Sequence, residues 1–273
     1  ASLTASPSLP ATPPAPAPPA VSHTAQNPDP VAIIRRLIER AHAVSHDQAT
    51  PACLFDKLSF YEHLDPDGTV KRSREKRYEV TVLRGMTFNR LVAVDGRELD
   101  ARESEVLSEN ERRWRETYAS GGRGGSPDRM DAFLNERLFS RFTVHWEGRE
   151  SVRGRPCHVL RVTPRSDDLP ADRLMDRVIN QLHGRVWVDE SEDEIVRAEV
   201  QTEGPLRVWG GILGSLEELR LHVDRERGAP GVWYNRHLNV EVRGRKLFSR
   251  MHVRVQEIGS NLRVANPPAP TRP

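Results

Sequence analysis

The sequence predicts an α+β fold: a strongly curved antiparallel sheet of about ten strands with a few helices covering its concave face. Three observations carry this expectation. First, Leu182 to Asp189 and Glu194 to Val200 flank an acidic turn, and their alternate residues Val186, Val188, Val196, Ala198 and Val200 are small and apolar while most of those between are charged. Second, the same alternation recurs along most of the chain. Third, helical periodicity is confined to four short stretches. A sheet that is apolar on one side has to bury that side against a second layer.

The elements follow in chain order. Asp29-Pro30 places a capping residue before a first-turn proline, and Ile33, Ile34, Leu37, Ile38, Ala41 and Val44 follow at helical spacing. Leu54, Leu58, Phe60 and Leu64 then alternate, the turn Asp65-Pro66-Asp67-Gly68 reverses the chain, and Thr69 to Arg84 returns with Tyr78, Val80 and Val82. Phe88 to Val94 makes a third strand that ends at Asp95-Gly96. From Asp100 to Ala119 the chain is charge-dense, with Asp100 and Glu103 in capping-box spacing, and predicts an exposed helix. After the break at Gly121 to Gly125, Ser126-Pro127 opens a shorter helix carrying Met130, Phe133, Leu134 and Leu138. Strands are expected at 142–147 and 157–164, a helix from Asp172 to Leu182 stopped by Gly184, the Trp187 hairpin, and strands near 219–223, 232–242 and 246–258.

Composition bounds the function. Lys and Arg number 41 against 39 Asp and Glu, a formal net charge of +2, which supplies no electrostatic case for nucleic acid. Only Lys57, Lys71, Lys76 and Lys246 are lysines, so arginine dominates, interleaved with carboxylates as on a solvated face. Residues 1–28, almost wholly Ala, Pro, Ser and Thr, are expected to be a disordered tether, 29–264 a single domain, and 265–273 a disordered tail. A start at Ala1 is what cleavage of a signal peptide leaves, so the chain is expected to be exported, and no apolar run is long enough to span a bilayer. In an oxidising compartment Cys53 and Cys157 form one candidate disulfide; two buried free thiols are the alternative.

No motif brings catalysis, and no cofactor or metal is expected. His42 and His46 have the i, i+4 spacing of metal ligands, but no Glu follows His42 and no third ligand is apparent. Asp65-x-Asp67-Gly68 and Glu190 to Glu194 are better read as hairpin turns than as calcium loops. There is no Gly-x-Ser-x-Gly elbow, P-loop or dinucleotide fingerprint.

The order of parts is an N-terminal amphipathic helix, a long hairpin, a helical interruption, Gly184-Arg-Val-Trp-Val-Asp189, and Gly231-Val-Trp-Tyr234 leading the last strands. In this order the chain resembles the periplasmic lipoprotein-carrier superfamily, the LolA/LolB-like half-open β-barrels closed by helices, over roughly Val31 to Val264. The charged insertion from Asp100 to Pro127 and the long tether depart from that pattern. The resemblance implies a periplasmic, non-enzymatic carrier for lipid or lipoprotein acyl chains. Strand parity names the lining of its groove as Leu58, Phe60, Tyr78, Val80, Val82, Val92, Val186, Val188, Val196, Leu219, Leu221, Leu238, Val240, Met251 and Val253. An envelope-stress sensor using the same sheet toward an envelope protein partner is the second reading, and an enzyme with an unrecognised site the third.

Overall fold

A computed structural model describes residues 27–46, 52–83, 86–119, 134–165, 169, 171, 174–208, 214–246 and 249–265. The expected tether up to residue 26, the expected tail from residue 266 and the start of the helix at Ser126-Pro127 lie outside these residues, whereas Ala265, expected to open the tail, ends the last strand opposite Ala52. Asp29 caps the first helix, α1 (Pro30–His46): its carboxylate accepts from the Val31 N–H at 2.9 Å and its carbonyl from the Ile33 N–H at 3.2 Å. The second helix, α2 (Ala101–Ala119), opens on a reciprocal capping box: the Glu103 N–H donates to Asp100 at 2.8 Å and the Asp100 N–H to Glu103 at 2.9 Å. Two further short helices are described, α3 (Glu136–Phe139) and α4 (Leu174–Ile179).

The strands are β1 (Ala52–Leu64), β2 (Val70–Leu83), β3 (Met86–Val94), β4 (Arg97–Glu98), β5 (Phe142–Val152), β6 (Arg155–Pro164), β7 (Leu182–Asp189), β8 (Ile195–Thr202), β9 (Leu206–Val208), β10 (Gly214–Ala229), β11 (Val232–Lys246) and β12 (Ser249–Ala265). They form one curved, half-open antiparallel sheet in the order β4-β3-β2-β1-β12-β11-β10-β8-β7-β6-β5, with β9 paired to β10. The sheet does not close, so β4 and β5 are its edges. Asp95-Gly96 and Arg153-Gly154 each have two consecutive positive φ angles, 50° then 77° and 50° then 78°, the twist that two-residue hairpin loops require.

The structure corrects the sequence reading at several places. The helix expected from Asp172 to Leu182 is described only over Leu174–Ile179, because Leu182 already pairs with Thr202 at the start of β7. Gly184 is therefore a strand residue, not a helix stop. A Cβ there would lie 2.0 Å from the Glu199 carbonyl oxygen, so the close approach of β8 demands glycine. The last three strands run to 16, 15 and 17 residues, beyond the ranges their apolar runs predicted, because charged and polar stretches continue the ladder.

α1 lies on one face of the β5–β8 end. Ile33, Ile34, Leu37, Ile38 and Ala41 pack with Phe142, Leu160, Val162, Val186, Val188, Ile195 and Ala198. Each fully buried aliphatic side chain contributes about 1.5–3 kcal/mol, which makes this cluster the main source of stability. The opposite face at the same end holds a smaller cluster of Val152, Cys157, Val159, Trp187, Val196 and Trp233. Near the β1–β2 end, Phe55, Val80 and Tyr234 form a third, with the Phe55 and Tyr234 rings 5.2 Å apart. α2 sits against β3 through a Phe88–Trp114 ring contact at 5.4 Å and an Arg90–Glu111 pair.

Candidate functional site

Residues directly opposite in register share a face, so the ladder fixes which side chains line which side. Leu160 opposes Val186, Val186 opposes Ala198, Ala198 opposes Val223, and Val223 opposes Leu238. The α1-covered face therefore continues without interruption into β10, β11 and β12. There Leu221 opposes Val240 and Val240 opposes Val255, while Leu219 opposes Val242 and Val242 opposes Val253. Leu219, Leu221, Leu238, Val240, Val242 and Val255 are only half-buried, and none belongs to the three packed clusters. Met251, opposite Gly244 on the same side, is exposed. This stripe is the least covered part of an otherwise packed apolar face.

Of the residues named from strand parity, Tyr78, Val80, Val82, Val186, Val188, Leu219, Leu221, Leu238, Val240, Met251 and Val253 project from this face. They do not form one open groove. Val186 and Val188 are buried beneath α1, and Val80 under Phe55 and Tyr234. Leu58 and Phe60 face the other way: Phe55 pairs with Val80 and Lys57 with Tyr78, which puts Leu58 and Phe60 on the opposite side. Val196 is also displaced. The register slips between Trp187 and Val188, Val188 pairs with Ile195, and Val196 drops into the cluster around Trp187. Val92 is the extra residue of a bulge in β3, between Leu91 opposite Tyr78 and Ala93 opposite Arg77.

Among the described residues, a cavity lies on the other side of the sheet. A hollow of about 470 Å³ opens on the polar side of the sheet, across β6, β7, β8, β10 and β11. Its side chains are Arg161, Thr163, His183, Arg185, Glu199, Gln201, Arg220, His222 and Asn239. Alternation alone had marked these positions as solvated, because each reads as one charged or polar residue in a strand and only the pairing brings them together. Arg161 and Arg185 both bind the single carboxylate of Glu147, Arg185 at 2.7 Å. Arg220 pairs with Glu218 at 2.6 Å, and His222 with Asp224 at 3.0 Å. A His183 ring nitrogen lies 3.2 Å from the Gln201 amide nitrogen.

α1 is held to the sheet by charge as well as by packing. Arg36 binds Asp193 at 3.0 Å, and Arg40 binds Glu194 at 3.6 Å and donates to the Gly231 carbonyl at 3.2 Å. Glu194 in turn accepts from the buried Arg225 at 2.7 Å. Asp193 and Glu194 come from the β7–β8 turn and Gly231 from the β10–β11 turn, whereas Arg225 lies within β10. In the same turn region, burial alone would raise the pKa of Asp189, but hydrogen bonds from Arg155, the Ser191 hydroxyl and the Glu192 and Ser191 N–H groups prevail and hold its carboxyl at about 2.

Cys53 and Cys157 are free thiols, which overturns the candidate disulfide. They sit on strands six positions apart in the sheet, Cys53 opposite Val82 on the α1 side and Cys157 opposite Asp189 on the other. Burial pushes both thiols up to about 11. His42 is exposed, the His46 side chain lies outside the described residues, and among those described no group of three or more His, Cys, Asp or Glu is placed to hold a metal. No described helix is long and apolar enough to cross a membrane.

No family model and no curated protein matches the chain. Among solved structures it is similar to a putative outer membrane lipoprotein-sorting protein domain from Vibrio parahaemolyticus, at 12% identity over 85% of this chain and 93% of that one, with a TM-score of 0.35. It is also similar to a LolA superfamily protein from Nitrosomonas europaea, at 10% identity over 86% and 94%, with a TM-score of 0.30. A third is the MucA/MucB complex of Pseudomonas aeruginosa, at 13% identity over 86% and 99%, with a TM-score of 0.29.

Proposed function

We propose that the protein is a non-enzymatic periplasmic carrier that takes up acyl chains, of a lipid or a lipoprotein, on the half-buried stripe of β10, β11 and β12. The stripe itself carries the reading: Leu219, Leu221, Leu238, Val240, Val242 and Val255 continue a face that is fully packed at its β5–β8 end, yet stand outside every packed cluster. Apolar side chains left partly wet on a continuous face gain by contact with another apolar surface. Each methylene buried there is worth about 0.8 kcal/mol, so ten of them offset the several kcal/mol of freedom that binding removes.

The test is titration of the full chain with cis-parinaric acid, a fluorescent acyl probe. Saturable binding that falls at least tenfold, about 1.4 kcal/mol, in Val240→Gln and Val255→Arg supports the reading. The absence of saturable binding in the wild type overturns it, and the stripe is then a contact surface for protein.

A further inference from the structure

Resting on the acyl-carrier reading, we propose that the lipid taken up on the stripe of β10, β11 and β12 is an anionic one, whose phosphate head group is held by Arg72, Arg74 and Lys76 of β2.

The ladder puts the cations and the stripe on one face. Leu221 opposes Val240, Val240 opposes Val255, Val255 opposes Tyr61, and Tyr61 opposes Arg74. The neighbouring row through Leu219 and Val242 ends at Arg72, and the row on its other side, through Val223 and Leu238, ends at Lys76. Residues opposite in register share a side, so three adjacent rows each run from aliphatic side chains to a cation. In the central row Tyr61, 44% exposed, stands between the two. Aliphatic, tyrosine, cation is the order met in a bilayer from its core to its head groups.

The dimensions agree. Strands lie about 4.8 Å apart, so about 14 Å separates β2 from β11, three strands away. An acyl chain in one leaflet reaches about 15 Å, half of the roughly 30 Å hydrocarbon core. A head group at β2 therefore lays its chain across Tyr61 and Val255 to Val240. α1 is tied to the β5–β8 end, and α2 rests on the other face, since Phe88, which touches Trp114, opposes Thr81 and Thr81 opposes Leu54.

Charge at this corner is not balanced. Lys57 is met by Glu257 at 3.1 Å, and Arg74 by Asp95 at 3.7 Å with both side chains more than half exposed. Asp65 is committed to Lys71 at 3.5 Å, Glu75 points to the other face opposite Phe60, and Glu62, on that face too, binds Arg254 at 2.8 Å. Among the described residues Arg72 and Lys76 thus keep no carboxylate partner. Alternate residues of a strand lie about 7 Å apart, so one phosphate between two neighbouring cations accepts charge-assisted hydrogen bonds from both.

Calorimetric titration of the full chain with lauroyl lysophosphatidylglycerol and lauroyl lysophosphatidylcholine, each below its micelle concentration, tests this, because the chains are identical and the net charge of the head differs. The anionic lipid is expected to bind tenfold or more tighter, a preference that shrinks with added salt. The double variant Arg72→Gln, Lys76→Gln should abolish the preference while leaving the lysophosphatidylcholine affinity and the melting temperature unchanged. Equal affinity of the wild type for the two lipids, or a preference that survives the double substitution, overturns the head-group assignment and leaves the acyl reading standing. If neither lysolipid nor parinaric acid saturates, the acyl reading has failed and the assignment falls with it. Sedimentation with phosphatidylglycerol vesicles, without preference between the monomeric lipids, gives the cations to a membrane surface and overturns the assignment as well.

Discussion

The two ends of the apolar face are built from the same residue types in the same alternation, yet only one is closed. At the β5–β8 end, Leu160 and Val188 are 0% exposed because α1 lies over them. Across β10, β11 and β12, Leu221, Leu238 and Val240 occupy equivalent positions and remain half-buried. The difference is not in the strands. It lies in the helix, whose Arg36 and Arg40 pair with Asp193 and Glu194 of the β7–β8 turn and so commit its apolar stripe to that end. A sheet face is specified by alternation, whereas its cover is specified by where a helix is tied.

Truncation tests the contrast most directly. Leu160→Ala should cost about 2–5 kcal/mol, as expected for an emptied packed site, whereas Leu238→Ala should cost about 1 kcal/mol or less. Urea unfolding followed by tryptophan fluorescence measures both, and equal losses would erase the distinction between the two ends. Acid should act mainly on the closed end. Asp189 has a folded value of about 2, below the ordinary 3.8, so its contribution to stability is complete above about pH 4 and is lost as the pH falls toward 2. The loss is about 2 kcal/mol, and an Asp189→Asn chain should show a flatter stability profile between pH 4 and 2. The smallest effect concerns the thiols. Both should resist Ellman's reagent in the native state at pH 8, since burial holds them at about 11. In low urea, peptide mapping should find Cys53, near the open end, modified a few-fold faster than Cys157 beneath the β7–β8 turn; the reverse order would place the weaker packing at the helix-covered end.

How much of this was legible in the sequence depended on how local the determinant is. The Asp29 cap, the Asp100–Glu103 box and the Trp187 hairpin are set by residues a few positions apart, and all were readable. Parity failed where one extra residue or a competing phase intervened. At Val196 a bulge reverses the side on which a valine falls. In β1 both phases carry apolar residues, and only the pairing of Phe55 with Val80 decides that Leu58 and Phe60 point away. The polar hollow was invisible for a different reason. Its arginines, histidines and amides are contributed by five strands spread from Arg161 to Asn239, and nothing in any single strand marks them as neighbours.

The pairing of β1 with β12 has a consequence for how the chain acquires its structure. Ala52 lies opposite Ala265, so the first strand meets its permanent neighbour only when almost the whole polypeptide has been made. Until then β1, β2 and β3 can form only a meander with one raw edge, and β5 to β11 a second sheet with another. Loop closure over some two hundred residues is slow, which makes β12 the keystone of assembly and the nascent chain a substrate for whatever guards unpaired strand edges in the meantime.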